Sequence, residues 1–260
     1  MPCPNYTELL SVVQPHNAGL QLAQDPRFCG GQIGMGGVLH TWTRALLYHP
    51  HVHFIVTGGG WSQDRRWRAA RKDFLVPVKA LSPIFRAKFL EQLRQSDLFP
   101  QVPEQVWQQA WVVHSQPIGS GLAAFKYLAT YIFRVAISNQ RIITLNEGRV
   151  TFKYKDSATK QIKFATVTAE EFMRRFLQHV LPDRFVKVRY YGLLAPACRQ
   201  LLQQVRQGLS ASIGKLKSAE LITTAPVARY VFGFELQNLL IGLNRSSNVT
   251  SILASESLFQ

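Results

Sequence analysis

Cysteine is scarce in this chain. Its 260 residues include only Cys3, Cys29 and Cys198, with no C-x-x-C pair, so neither a disulfide framework nor a zinc ribbon is indicated. That usage fits a reducing, cytosolic compartment. Acidic residues are also few: 15 Asp and Glu stand against 30 Lys and Arg, for a net charge of +15 and a pI near 10.1. Such a balance favours a polyanionic partner, nucleic acid first and an anionic membrane surface second. The basic residues are spread along the chain, which points to a folded basic surface rather than a charged tail. No apolar run reaches transmembrane length, and Met1–Val13 lacks the basic start and cleavage site of a secretory signal. There is no internal repeat. A hydrophobic content of 47% is enough for a substantial core.

Histidine is scarce too, but concentrated. Of seven in the chain, three fall at His49, His51 and His53, directly before the apolar run Phe54-Ile55-Val56-Thr57 and the glycines Gly58 to Gly60, which are expected to break the strand. In a strand, alternate side chains share a face. His51 and His53 therefore project together with Ile55, while Val52, Phe54 and Val56 face a core. Two imidazoles on one face suit one divalent metal ion. His40 completes an H-x10-H-x-H spacing and is expected on a short helix over Val38–Leu47 packed beside the strand. An ordinary pair of strand histidines is the bland alternative. The two added histidines weigh against it.

Tyr127 and Tyr131 stand four apart in an apolar run from Leu122 to Ala136, expected as a buried helix capped by Ser120. On a helix they share a face, and Arg134 is expected on that same face. Alone, the pair reads as packed core. A tyrosine hydroxyl, a metal and a basic surface together, however, supply what attack on a phosphodiester needs. The metal polarises the phosphate, the hydroxyl is the nucleophile once activated, and cationic and aromatic groups hold the strand. Candidates for that last role are Arg65, Arg66 and Arg68, Arg134, Lys153 and Lys155 in Phe152–Lys155, and Arg189 before Tyr190-Tyr191.

The remaining pattern is mixed. A helix is expected over Pro83–Gln95, a strand over Val106–His114, and a meander of strands at Arg141–Leu145, Val150–Lys155 and Gln161–Val167. Thr168-Ala169-Glu170-Glu171 reads as a capping box opening a helix that Pro182 stops. A strand is expected over Phe185–Tyr191 and a basic helix over Pro196–Gly208. Beyond about residue 215 the chain is Ser- and Asn-rich with weak periodicity. Antiparallel strands with interspersed helices make this an α+β chain.

Several ordered segments resemble the two-tyrosine HUH transposases of rolling-circle insertion sequences. They are Leu39-His40-Thr41-Trp42, His49 to His53, Gly58 to Gly60, Tyr127-Leu128-Ala129-Thr130-Tyr131, Arg134 to Asn139, Val150-Thr151-Phe152, Glu170-Glu171-Phe172, Phe176 to Pro182 and Arg189 to Gly192. The resemblance covers residues 21–205, leaving 1–20 as a variable segment and 206–260 of uncertain structure. It implies an HUH endonuclease-like antiparallel sheet flanked by helices, and Mg²⁺ or Mn²⁺ as cofactor. His51 and His53 would be ligands, with His40 as the third. Tyr127 and Tyr131 would be the nucleophiles on single-stranded DNA at transposon ends, one nicking to leave a 5′-phosphotyrosine and the other serving strand transfer. Members of that family begin with a cysteine-rich zinc-binding region and a first sheet strand. Here 38 residues precede Leu39 and no cysteines pair, so the resemblance implies a shortened chain whose sheet lacks that strand.

Two rival readings stand beside this one. A catalytically inactive DNA-binding remnant would keep the charge without the chemistry. A histidine-triad nucleotide hydrolase would use His49, His51 and His53, although Pro50, the charge and the length speak against it.

Overall fold

The computed structural model describes residues 16–71, 74–97, 99–109, 111–119, 121–181, 183–213 and 228–235. Its centre is a five-stranded antiparallel sheet. The strands are β1 (Gly34–Trp42), β2 (Tyr48–Thr57), β5 (Val113–Pro117), β9 (Val188–Gly192) and β10 (Ala228–Glu235), in the order β5-β10-β2-β1-β9. Two smaller antiparallel units accompany it. One is the hairpin β3 (Gly59–Trp61) and β4 (Trp67–Ala69). The other is the meander β6 (Ile142–Asn146), β7 (Arg149–Lys155) and β8 (Ile162–Thr168).

The helices are α1 (His16–Gln24), α2 (Val78–Leu93), α3 (Gln105–Gln108), α4 (Gly121–Ile132), α5 (Ala169–Leu177) and α6 (Arg199–Ile213). On one face of the sheet, Met35, Leu39, Val52, Phe54 and Val56 bury against Ala18 and Leu22 of α1 and Leu81, Phe85, Phe89 and Leu93 of α2. On the other, Val38 and Ile55 meet Ala124 and Leu128 of α4. The two faces separate as strand alternation requires, and α4 is laid over the face that carries the histidines.

The α+β class, the meander and the histidine strand agree with the sequence reading. Thr168 caps α5 as expected: its hydroxyl accepts from the Glu171 amide at 3.2 Å. That helix ends at Leu177, ahead of Pro182, which lies outside the described residues, as does Ser120.

Five expectations are corrected. Val38–Leu47 is not a helix: its first half is the end of β1, and all nine residues of β1 are buried. A strand covered on both faces shows no alternation. The glycines after His53 do not simply break the strand but enter β3. The close contact explains the residue type there, since a Cβ on Gly60 would stand 2.7 Å from the Gly31 backbone. α2 starts at Val78 and runs through Pro83, because Leu81, Phe85, Phe89 and Leu93, one per turn, bury a continuous stripe that outweighs one missing helical bond. Val106–His114 splits into α3, a connection and β5. Finally, β10 forms in the stretch beyond residue 215 that shows weak periodicity. Its partners β2 and β5 lie far back along the chain.

Buried histidines tie this fold to pH. His16 stacks on Tyr191 at 3.7 Å, and His179 lies within 3.3 Å of the Thr41 hydroxyl and 3.4 Å of the Leu46 carbonyl. Burial lowers both from 6.5 to about 4. Between those values the unfolded chain holds the extra protons, so stability is complete above 6.5 and falls as pH drops towards 4. The slope is about 1.4 kcal/mol per pH unit for each histidine. Urea midpoints measured from pH 7 to pH 5 should fall steadily, and less steeply in His179→Gln. A flat profile would refute this account.

Candidate active site

Neighbouring strands bring the three histidines together. His40 on β1 is the register partner of His51 on β2, and His53 lies two residues further along the same face. His40 Nδ1 and His51 Nε2 are 3.2 Å apart. One ligand atom from each of His40, His51 and His53 can be chosen so that all lie within 4.8 Å of one another. His40 thus reaches the site from an adjacent strand, not from a helix.

The donor set fits a divalent cation on three counts. The His51 Nδ1–H donates to the His49 carbonyl at 2.7 Å, which leaves Nε2, on the His40 side, with its lone pair. The Nε2 atoms of His40 and His53 are buried without a hydrogen-bond partner. The imidazoles are also held neutral, as ligands must be. Burial, then the charges of His53, Arg134, Lys187 and His49, bring His40 down to about 2. Burial, then His49, brings His53 down to about 3. Desolvation, then His53, His40 and His49, holds His51 far below 6.5 against the opposing pull of its carbonyl bond. His49 lies beside His51, ring centres 4.8 Å apart, but outside the three-histidine set.

Both tyrosines of α4 sit on this cluster. The Tyr127 hydroxyl is 3.1 Å from His53 Nδ1. The Tyr131 ring stacks on the His53 ring at 3.7 Å and meets His40 edge-on at 5.4 Å. Burial, with the Tyr131 hydroxyl beside it, raises the Tyr127 phenol well above its usual value. Its ionisation therefore needs help from a positive charge or a donor.

A cavity of about 530 Å³ opens beside His40. It is bordered by Arg44, Arg134, Arg141 and Lys155, and none of the described residues lining it is acidic. α4 ends at Ile132, so Arg134 lies past the helix rather than on it, yet still faces the site. Only the tyrosine face of α4 is covered: Leu122 and Phe125 are exposed. Arg141 Nε donates to the Lys153 carbonyl at 2.9 Å, and the same guanidinium bonds the Arg44 carbonyl, so it ties the meander to the β1–β2 connection. Desolvation, then the Arg134 and Arg44 charges, lowers the Arg141 pKa. Crowded like charges of this kind suit a bound anion.

Sequence reasoning does not single out Arg44, in the connection after β1, or Arg141, expected to open a strand and found in the turn just before β6. Proximity to Trp42 and to the meander was the only available signal. The other basic candidates are placed elsewhere. Arg68 lines a second cavity, of about 700 Å³, with Gly30, Gly31 and Gln32, and Arg65 and Arg66 occupy the turn of the same hairpin. Arg189 lies on β9 opposite Gly37. Phe152 is fully buried beneath the meander, so it is core and not a stacking surface.

A family model described as "Putative transposase" matches residues 34–201. The chain belongs to this transposase family. Every residue of the histidine and tyrosine cluster falls inside the matched stretch. The chain is 40% identical over 215 residues to "Putative transposase y4qJ" of Sinorhizobium fredii (strain NBRC 101917 / NGR234), covering 74% of this chain and 54% of that protein. It is 28% identical over 197 residues to "Transposase for insertion sequence element IS801" of Pseudomonas savastanoi pv. phaseolicola, covering 69% and 48%. It thus spans about half the length of these curated relatives. No solved structure matches it. Among the described residues, no helix is long and apolar enough to cross a membrane.

Proposed function

We propose that this transposase chain nicks and transfers single-stranded DNA at transposon ends through a 5′-phosphotyrosine intermediate. The observation that carries the proposal is the Tyr127 hydroxyl 3.1 Å from His53 Nδ1, on a ring whose other nitrogen is buried and unpartnered. His40, His51 and His53 would hold Mg²⁺ or Mn²⁺, which when bound polarises the phosphate and stabilises its developing charge. His53 would be one of the groups holding the ion, and its Nδ1, when protonated, would donate to the Tyr127 oxygen 3.1 Å away and stabilise the phenolate as it forms.

The Tyr127 oxygen attacks phosphorus and the bond to the 3′-oxygen breaks. DNA 5′ to the nick leaves with a free 3′-hydroxyl, and the 5′-phosphate stays on the tyrosine. The departing oxygen gains the proton that the phenol has lost. Tyr131, stacked on the same ring, is the second nucleophile, used when the strand is transferred. Arg134, Arg44 and Arg141 hold flanking phosphates in the acid-free cavity.

The test is covalent. Protein incubated with Mn²⁺ and single-stranded DNA from its element's end should give a DNA-linked species that survives denaturing electrophoresis and is lost in EDTA. Binding without linkage would leave only the DNA-binding remnant. Activity on nucleotides that persists in EDTA would favour the histidine-triad reading.

Binding should also weaken with salt, because each neutralised phosphate releases counterions. On single strands the logarithm of affinity falls by about 0.7 per contact for each logarithmic unit of salt. Arg134→Gln should reduce that slope by about one contact's worth when measured by fluorescence anisotropy. Binding indifferent to salt would defeat the basic-cavity argument.

A further inference from the structure

The meander carries a face that the core does not use. Val150 and Phe152 of β7 point inward, with the Phe172 ring of α5 5.8 Å from that of Phe152. The opposite face presents Arg149, Thr151, Lys153 and Lys155 from β7 and Ile162, Phe164, Thr166 and Thr168 from β8. It is open: Phe164 is 64% exposed and Ile162 65%. Register sets Lys153 opposite Phe164 and Lys155 opposite Ile162. Lysines of β7 therefore stand directly beside apolar side chains of β8.

None of these eight residues is acidic. Asp156, just past β7, is buried and accepts from Lys163 Nζ at 2.8 Å and from the Thr159 amide and hydroxyl at 2.8 and 2.9 Å. At one end the face runs into the histidine site, because Lys155 also lines the cavity that holds His40 and Arg134. The rim of that cavity bears Phe133, which is 81% exposed. Exposed aromatic rings interleaved with lysines form the kind of surface that binds single strands without reading sequence. Bases stack on the rings and phosphates meet the ammonium groups. Lys153 and Lys155 stand about 7 Å apart along the strand, so they can serve successive phosphates.

We infer that the DNA strand entering the histidine site continues across the open face of the meander, with Phe133 and Phe164 stacking bases and Lys155 and Lys153 binding phosphates. The inference rests on the nickase reading for its starting point. Ile162 and the threonines widen the platform, and the Thr151 and Thr166 hydroxyls, 2.8 Å apart, link the two strands on that same face.

The test uses the full chain and oligo-dT of 4 to 20 nucleotides, read by anisotropy. Phe164→Ala should weaken the longer oligonucleotides about 5- to 150-fold, the range for one lost base stack, and leave the shortest, which fill only the histidine-site cavity, unchanged. Its salt slope should stay at the wild-type value. Lys153→Gln should lower that slope by about 0.7. Phe164→Tyr, which keeps the ring, should bind as wild type.

Equal binding by Phe164→Ala and wild type at every length overturns the platform. So does equal weakening at every length without rescue by Phe164→Tyr, which would mark a folding role. So does a concentration-dependent dimer in sedimentation that Phe164→Ala abolishes, since the face would then be covered by a second copy. Adduct formation reports separately on the nickase. A chain that links DNA but ignores Phe164 refutes the platform alone. A chain that shows the length effect but never links refutes the nickase alone.

Discussion

Tyr127→Phe is expected to remove the first cleavage, with a fall in adduct yield on the order of 10³-fold or more, as losing a nucleophile does elsewhere. The substitution takes away one oxygen and leaves the ring, so packing against Tyr131 and His53 is kept. Tyr131→Phe should still link DNA in the first step and fail in joining that strand to a second end. The two reactions can be read on one gel, with a nicked end substrate and a labelled target strand. The double variant should form no adduct. A double variant that links DNA as the wild type does would place the nucleophile elsewhere and end the two-tyrosine mechanism. The proposed order puts Tyr127 first because its hydroxyl touches a histidine nitrogen, whereas Tyr131 meets the same histidine with its ring. Reversal of the single-variant phenotypes would reverse that order.

Removing one histidine of the set should be as severe. His51→Ala or His53→Ala would take one of the three proposed ligand nitrogens from the ion, and Mn²⁺ affinity measured by titration calorimetry should fall by about 100-fold or more. Losing a group that only supports a ligand already costs about 10- to 100-fold. Adduct formation should stop with it. His49→Gln, outside the set, should bind Mn²⁺ to within a few-fold of wild type. The pH dependence follows from the depressed imidazole values. Metal competes with protons only once pH falls through the folded pKa, which is about 3 for His53 and about 2 for His40. Mn²⁺ affinity should therefore hold nearly level from pH 8 to pH 5, where an exposed histidine site would lose it through 6.5. A steep loss across that interval, or unchanged affinity in His51→Ala, would remove the histidines as the metal site.

How far this was legible from sequence depends on how local each signal is. His51 and His53 declare their shared face through strand alternation, and Tyr127 and Tyr131 declare theirs through helical spacing. Both rules act within a few residues, and both agree with the structure. His40 was legible as a residue but not as a strand residue, since a strand buried on both sides carries no polar face to mark its period. Arg44 and Arg141 could not be found locally at all. They meet Arg134 and Lys155 only after the meander docks against the β1–β2 connection. The strand at 228–235 had a local signal, Tyr230-Val231-Phe232-Gly233-Phe234, set within a Ser- and Asn-rich stretch that masks it. What makes it a sheet strand is its pairing with residues more than a hundred positions earlier.

That pairing governs the timing of synthesis. β10 separates β2 from β5, and its Gly233 pairs with His53 on one side and His114 on the other. Until residue 235 has left the ribosome, the histidine strand has an open edge and β5 has no place in the sheet. Chains fold from the N-terminal side as they emerge, so the early hairpin of β1 and β2 must wait, aligned but unsealed, for its last neighbour. The sheet around the histidines closes only once β10 has emerged, and a nascent chain halted before residue 228 would carry His40, His51, His53, Tyr127 and Tyr131 on a sheet still missing the strand beside His53.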